Sequence, residues 1–163
     1  GLVQWEDVNS GVNWGVVLLY GAAISLGVQM KNTGAAVWVA QNFLFFLEPL
    51  GMEEGIGLWG AVSLLTTAVT NTMSNGAAVA VLGPIVLKLA TVAGESPIIL
   101  GFITAVSSAF AYLTVVGTPA CTIVYASGYL KTTDFLKVGW KMCIMSIIVM
   151  LAAAYLYWPI IGA

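Results

Sequence analysis

Charge is the scarcest feature of this chain, since only 7% of its 163 residues are charged and arginine and histidine are absent. Without a cluster of basic side chains, the composition excludes a nucleic-acid partner. Cys121 and Cys143 form neither a metal-binding spacing nor a CxxC pair, and no histidine is present to complete a zinc site. We therefore expect both thiols to be small, buried, apolar residues.

Apolar residues make up 60% of the chain, a share that is typical of an integral membrane protein and not of a soluble domain. An enzyme is disfavoured, because the sequence offers no nucleophile–base pair, metal cluster or phosphate-binding loop. The chain begins at Gly1 without a methionine or an evident signal peptide. We therefore expect it to be part of a longer protein.

Apolar runs predict an all-α membrane protein. Residues 14–30 are long enough to span about 25 Å as a helix, and they form the first candidate transmembrane helix. Residues 35–47 are short and aromatic, which favours an interfacial helix and completes a first segment over residues 1–50. In the last segment, residues 134–163, the run 138–157 predicts the final transmembrane helix.

Residues 55–93 carry the most informative pattern, two apolar arms around the polar cluster 70–76 (TNTMSNG). A straight helix over this stretch would measure about 50 Å, well beyond the roughly 30 Å hydrocarbon core of a bilayer. The pattern therefore predicts a re-entrant helical hairpin whose arms reach about half way across. Its tip would place irregular backbone at mid-membrane depth, where such backbone must be enclosed by protein or line a wet cavity.

A second interruption lies in residues 97–130, which with the hairpin complete a segment over residues 51–133. The motif 116–120 (VGTPA) disfavours helical backbone, because its proline removes a donor and its glycine adds conformational freedom. We therefore predict a broken transmembrane helix. Its first part runs to about residue 115, and its second part ends near residue 129.

Three of the five lysines, Lys131, Lys137 and Lys141, lie between the broken helix and the last span. By the positive-inside rule this loop is cytoplasmic, so the C-terminus is expected outside and the hairpin enters from the outer face. Asp134 and these lysines are interpreted as solvated loop charges. Lys88 is expected to reach the lipid headgroups from the hairpin.

The two interruptions carry chemistry that suits ions. If they pack side by side, their unpaired carbonyls suit Na⁺ and their helix N-termini suit an anion, even without arginine. No charge occurs in residues 55–87 or 96–130, which favours sodium over proton coupling. Asn75 is the strongest candidate, because a carboxamide at bilayer depth needs several partners. The other polar residues of these helices are interpreted as packing groups: Ser63, Thr66, Thr67, Ser107 and Ser108.

Three motifs, in this order, resemble the divalent anion/sodium symporter family, which carries dicarboxylates, citrate or sulfate: NWGVVLLYG at 13–21, MSNGAAVAVLGP at 73–84 and GTPACTIVYASGYLKTTDF at 117–135. The resemblance covers nearly the whole chain and corresponds to the second, C-terminal, inverted repeat. It implies that the hairpin and the broken helix move as an elevator against a dimerising scaffold that includes residues 14–30 and 138–158. The implied partners are the N-terminal repeat of the same protein, a second copy in a homodimer and the lipid bilayer.

The resemblance also implies the site residues. The anionic substrate would contact the hairpin tip and the break through Ser74, Asn75, Gly76, Thr118 and Pro119. The co-transported Na⁺ would bind Thr70, the Met73 carbonyl, Asn75 and the Gly117 carbonyl. Two departures from the family pattern affect the substrate: Gly76 stands where the signature usually has Thr, and Ala120 and Cys121 stand where Pro-Asn is usual.

Three functions fit these observations. The first is sodium-coupled transport of a divalent anion, with this chain as the C-terminal half. The second is a membrane subunit that does not transport and in which the polar bends are structural. The third is a proton-coupled or uniport anion permease. A second hairpin with its own Ser-Asn-Thr signature upstream of Gly1 would favour the first function.

Overall fold

The structure, a computed structural model, describes residues 4–12, 14–115 and 117–158, with the backbone alone at residues 6–8, 16 and 31. The described residues form eight α-helices and one 3₁₀ helix: α1 (Trp5–Gly11), α2 (Trp14–Thr33), α3 (Ala35–Leu47), the 3₁₀ helix (Glu48–Leu50), α4 (Gly55–Thr70), α5 (Asn75–Ala93), α6 (Pro97–Ser107), α7 (Pro119–Ala126) and α8 (Thr132–Leu156). No strand occurs among them, so the all-α prediction is confirmed. The predictions for residue 116 and for the chain after residue 158 lie outside the described residues.

Two of the described helices, α5 and α8, are long and apolar enough to cross a bilayer, and the bent pair formed by Ala35–Leu50 and α4 is a third candidate. The bend between the members of that pair is 119°. In α2, which extends to Thr33, the apolar part is the shorter stretch Val17–Met30. The assignment of residues 14–30 as a span therefore stays a prediction.

Helices α4 and α5 fold back on each other as a hairpin whose open end is held by Glu95. The Glu95 carboxylate accepts hydrogen bonds from the Gly55 N–H at 2.7 Å and from the Trp59 indole N–H at 3.3 Å. The start of α4 therefore lies beside the end of α5, and the polar tip lies at the opposite end. With 16 and 19 residues, the arms are about 24 and 28 Å long. They are longer than the half-bilayer length expected from the sequence, so their depth in the membrane remains a prediction.

The broken helix differs from its prediction. Helix α6 ends at Ser107 instead of about residue 115, and α7 begins at Pro119. Residues between them leave the helical path because side chains of the hairpin tip hydrogen-bond to their backbone. For example, the Asn71 carboxamide oxygen accepts from the Leu113 N–H at 2.8 Å. These bonds satisfy backbone groups that a continuing helix would otherwise pair with its own preceding turn.

The last helix begins earlier than predicted, at Thr132 instead of residue 138. Asp134 accounts for the difference, because its carboxylate accepts a hydrogen bond from the Lys131 N–H at 2.9 Å. An acidic residue in the first turn also favours the helix dipole. The interpretation of Asp134, Lys137 and Lys141 as loop charges was therefore wrong, since all three residues lie in α8.

The core lies between the hairpin arms and α6. Its almost entirely buried side chains include Leu58, Val62, Leu89, Leu100 and Ile103. Helices α2 and α3 pack against α5, and α8 packs against α4 and α6. Large apolar side chains such as Leu18 and Ile148 stay exposed on the outer helices, as expected for surfaces that face lipid.

Gly139 allows α8 to lie directly on the irregular segment after α6. A Cβ atom at this position would overlap the Tyr112 carbonyl oxygen and lie 2.7 Å from the Tyr112 carbonyl carbon. Because backbone atoms shift less easily than side chains, Gly139→Ala is expected to destabilise the protein by roughly 1–3 kcal/mol, the usual range for overpacking. Thermal unfolding of the purified protein in detergent measures this effect.

The matched control is Gly83→Ala in α5, where an added Cβ meets no atom within 4 Å. This variant is expected to unfold at the wild-type temperature or slightly above it, because alanine favours helices over glycine. Equal unfolding temperatures for the two variants would contradict the close packing at Gly139.

Candidate functional site

Ser74 begins α5 at the hairpin tip. Its backbone is extended, and its hydroxyl oxygen accepts a hydrogen bond from the Ala77 N–H at 3.4 Å. This is the usual role of serine as a helix N-cap. The hydroxyl hydrogen stays available for another acceptor, because the capping bond uses only a lone pair of the oxygen.

Thr118 begins α7 in the same way. Its backbone is extended, and its hydroxyl oxygen accepts from the Cys121 N–H at 3.2 Å. Pro119 occupies the first helical position, where its missing N–H costs nothing and its fixed φ suits the helix. The two sequence motifs therefore produce two capped helix N-termini.

The Asn75 carboxamide brings these two helix starts together. Its inward-facing atom lies 2.9 Å from the Ser108 carbonyl oxygen, 3.0 Å from Thr70 Oγ1 and 3.2 Å from the Gly117 carbonyl oxygen. Carbonyl oxygens accept and do not donate, so hydrogen bonding assigns the amide nitrogen to this position. The predicted juxtaposition of residues 70–76 with the break is thus present in the fold.

Thr70 is completely buried at the end of α4. Its hydroxyl donates to the Ser108 carbonyl oxygen at 2.6 Å, which leaves its lone pairs directed toward Asn75. The Ser108 hydroxyl donates to the Ala105 carbonyl at 2.7 Å, which agrees with its interpretation as a packing group. Its backbone carbonyl also belongs to the polar cluster, which contains four groups: Thr70 Oγ1, the Asn75 carboxamide, and the carbonyls of Ser108 and Gly117.

Asn71 is the residue of the tip that sequence reasoning missed. Its amide nitrogen donates to the Thr67 carbonyl at 2.7 Å and to the Phe110 carbonyl at 3.3 Å. Its oxygen accepts from the Leu113 N–H, and its own carbonyl accepts from the Thr114 hydroxyl, both at 2.8 Å. Asn71 itself is only 5% exposed, and its bonds to Leu113 and Thr114 are partly buried. Asn71 therefore joins the hairpin tip to the break. In the sequence, the signal for this residue was a second carboxamide within the polar cluster 70–76.

The remaining predicted residues have less defined surroundings. Ser74 and Pro119 are exposed, and Gly76 is half-buried, so the cluster is open on one side. Met73 is half-buried, and the hydrogen bonds of the described residues do not connect its carbonyl to the cluster. The Met73 carbonyl therefore stays a prediction as a sodium ligand.

The cysteines fit their expected environment only in part. Cys143 is buried and its thiol donates to the Phe110 carbonyl at 3.2 Å. Cys121 is half-exposed, contrary to the expectation that both are buried, and its thiol lies 3.6 Å from the Ala111 carbonyl oxygen. Both thiols therefore support the irregular backbone after α6.

The electrostatics of the cluster come from dipoles, because residues 55–87 and 96–130 contain no charged side chain. Neither do the described residues bring three or more Asp, Glu, Cys or His side chains together as a metal site. Hydroxyl, amide and carbonyl oxygens suit a hard monovalent cation, and two helix N-termini suit an anion. The arrangement therefore offers complementary surroundings for a cation and an anion side by side.

Comparison with known sequences identifies the family of this chain. A family profile described as "Sodium:sulfate symporter transmembrane region" matches residues 1–163, the whole chain. The chain belongs to the sodium:sulfate symporter family. Members of this family are transporters and not enzymes, and the chain is accordingly a multi-pass integral membrane protein.

Several curated members of the symporter family are similar to this chain. An uncharacterized transporter of Haemophilus influenzae is 29% identical over 97% of this chain, and the sodium-dependent high-affinity dicarboxylate transporter 3 of Caenorhabditis elegans is 31% identical over 98%. The sodium-dependent dicarboxylate transporter SdcS of Staphylococcus saprophyticus is 28% identical over 99%. The chain spans 34%, 28% and 30% of the lengths of these three relatives.

Proposed function

We propose that this chain is the C-terminal half of a sodium-coupled symporter for a divalent anion, either a dicarboxylate or sulfate. The observation that carries the proposal is the position of the Asn75 carboxamide, which lies among oxygen atoms of the hairpin tip and of the break. The names of the relatives, which include sodium-dependent dicarboxylate transporters, support the same function.

The proposed sodium site uses four oxygen atoms. Thr70 Oγ1 and the carbonyls of Ser108 and Gly117 already surround the Asn75 amide. Rotating this amide by half a turn replaces its nitrogen by Oδ1 and brings four oxygens together. A cation that binds among them would offset their mutual repulsion, and the oxygens would move apart to admit it. Irregular carbonyls of this kind coordinate Na⁺ in transporters built from discontinuous helices. The Met73 carbonyl, which the family resemblance implies, remains a proposed further ligand.

The proposed anion site lies at the start of α5 and of α7. The hydroxyls of Ser74 and Thr118 accept capping bonds from their own helices, so their hydrogens remain available to donate to a carboxylate or sulfate oxygen. The positive ends of the two helix dipoles add to this attraction. Gly76 would offer its backbone N–H, and Pro119 would allow close approach because it places no flexible side chain over its helix start.

Asn75 links the two sites and supplies a mechanism of coupling. Without sodium its NH₂ group hydrogen-bonds to the surrounding oxygens. When Na⁺ takes those oxygens, the amide turns its oxygen toward the cation and its NH₂ group toward the anion. Because one carboxamide cannot direct its NH₂ group both ways at once, anion binding is strong only when sodium is bound.

The chain as a whole is proposed to work by an elevator movement, as the family resemblance implies. The segment 51–133 would carry the substrate, and residues 14–30 and 138–158 would belong to a dimerising scaffold. The N-terminal repeat would complete the site on its open side. The positions of the lysines favour a C-terminus outside the membrane.

Uptake by vesicles that contain the full-length protein tests the proposal. Labelled succinate and labelled sulfate are supplied separately, with and without an inward sodium gradient. We expect sodium to stimulate uptake of one of the two anions. Uptake that is indifferent to sodium would favour the permease, and absence of uptake for both anions would favour a structural subunit.

A further inference from the structure

The Tyr20 hydroxyl of α2 lies against Gly76 in the first turn of α5. A Cβ atom built on Gly76 would be 3.1 Å from Tyr20 Oη and 3.9 Å from Tyr20 Cζ. The phenol oxygen therefore occupies the space into which a side chain at position 76 would project. This contact joins α2 to the hairpin tip.

Close approach is the physical reason for glycine at position 76. The described glycines with positive φ are five others: Gly34, Gly51, Gly55, Gly94 and Gly128. Gly76 has an ordinary helical backbone, so its conformation does not require glycine. A Cβ–O separation of 3.1 Å is tighter than ordinary van der Waals contact, so a side chain at position 76 would make the Tyr20 hydroxyl shift by a few tenths of an ångström.

The Tyr20 hydroxyl is available to a ligand. Tyr20 is 47% exposed, and no hydrogen bond among the described side chains uses its Oη. It lies against Gly76, two residues beyond the helix cap Ser74, where the unpaired N–H groups and the dipole of α5 favour negative charge. A phenol O–H at this helix start can donate to an anion that binds there.

We propose that Tyr20 is a further anion-binding residue, which donates a hydrogen bond to a carboxylate or sulfate oxygen from the position of the missing side chain at residue 76. This inference rests on the function proposed above. The family signature usually has Thr where this chain has Gly76, and the Tyr20 hydroxyl would take the place of that threonine hydroxyl. It also makes α2 a part of the substrate site.

Three variants of the full-length protein test the role of Tyr20 in labelled-anion uptake at saturating sodium. Tyr20→Phe removes only the hydroxyl, and we expect the KM for the anion to rise roughly tenfold, as for loss of one hydrogen bond to a charged group. Gly76→Ser is expected to weaken uptake as well, because its Cβ crowds Tyr20 Oη. The maximal rate and the sodium concentration for half-maximal uptake should change little in Tyr20→Phe.

The double variant Tyr20→Phe with Gly76→Ser distinguishes a binding role from a packing role. A phenylalanine ring leaves the serine Cβ at the ordinary distance of 3.9 Å from Cζ, and the serine restores a hydroxyl at the same place. We expect its KM to lie nearer the wild-type value than that of either single variant. The matched control is Tyr155→Phe on α8, where the exposed ring should tolerate the change without any effect on KM.

The outcomes separate this inference from the proposed function. Sodium-stimulated uptake by the wild type together with an unchanged KM in Tyr20→Phe would overturn the role of Tyr20 alone. A double variant no better than the worse single variant would also overturn it. Absence of sodium-stimulated uptake in the wild type would overturn the proposed function and this inference with it.

Discussion

Replacing Asn75 by alanine is expected to abolish sodium-stimulated anion uptake while leaving the amount of protein in the membrane nearly unchanged. The change removes a side chain that contacts both Thr70 and the Gly117 carbonyl. In the proposed mechanism it deletes a sodium ligand and an anion donor together, so uptake should fall by at least 100-fold, as for other paired polar contacts of 1.5 kcal/mol or more each.

The measurement is labelled-anion uptake with and without a sodium gradient, normalised to the protein present in each vesicle preparation. Asn42→Ala is the matched control, because Asn42 is an exposed asparagine of α3 whose amide bonds only to the Trp38 carbonyl of its own helix. Lys88→Ala should also do little, since Lys88 is exposed well away from the tip. Wild-type transport by Asn75→Ala would show that the hairpin tip is not the site.

The polar cluster at the hairpin tip could be predicted because its signal is local. Ser74 and Thr118 are residue types that cap helices, and each precedes an apolar run. A proline directly after Thr118 sharpens the second signal. Such short-range patterns indicate where a helix starts, and the two starts found in the structure follow them.

The extent of the break could not be predicted in the same way. Residues after Ser107 are mostly apolar and compatible with a helix, so the local sequence predicts that the helix continues to about residue 115. What ends it is a set of hydrogen bonds from Asn71, which lies about 40 residues earlier in the chain. Gly139, which lets α8 rest on Tyr112, is similarly distant in sequence. Tertiary contacts of this kind override local helix preference.

The carbonyl groups that face the site could not all be predicted from the sequence either. Every residue has a carbonyl, and only the path of the backbone decides which of them face a site. The Gly117 carbonyl was expected and lies near Asn75, whereas the Ser108 carbonyl was not expected. Side-chain candidates are thus easier to identify from a sequence than backbone candidates.

Replacing Asn71 by alanine is expected to have the largest effect on folding stability. The variant loses three side-chain hydrogen bonds, to the Thr67 and Phe110 carbonyls and from the Leu113 N–H. At a net 0.5–1.5 kcal/mol each, and with the Leu113 N–H left without its acceptor, the loss should be about 2–4 kcal/mol. We expect a clear fall in the unfolding temperature and in the yield of folded protein, measured by thermal unfolding in detergent.

Two comparisons make the Asn71 prediction specific. Asn71→Asp keeps the acceptor for the Leu113 N–H but turns both donor contacts into repulsion between oxygen atoms, so it should destabilise the protein at least as much as alanine does. Asn42→Ala removes a single exposed bond within one helix and should leave the unfolding temperature unchanged. An Asn71→Ala protein as stable as the wild type would mean that the break keeps its path without the hairpin tip. In that case the position of Gly117 beside Asn75, on which the proposed sodium site depends, would need another cause.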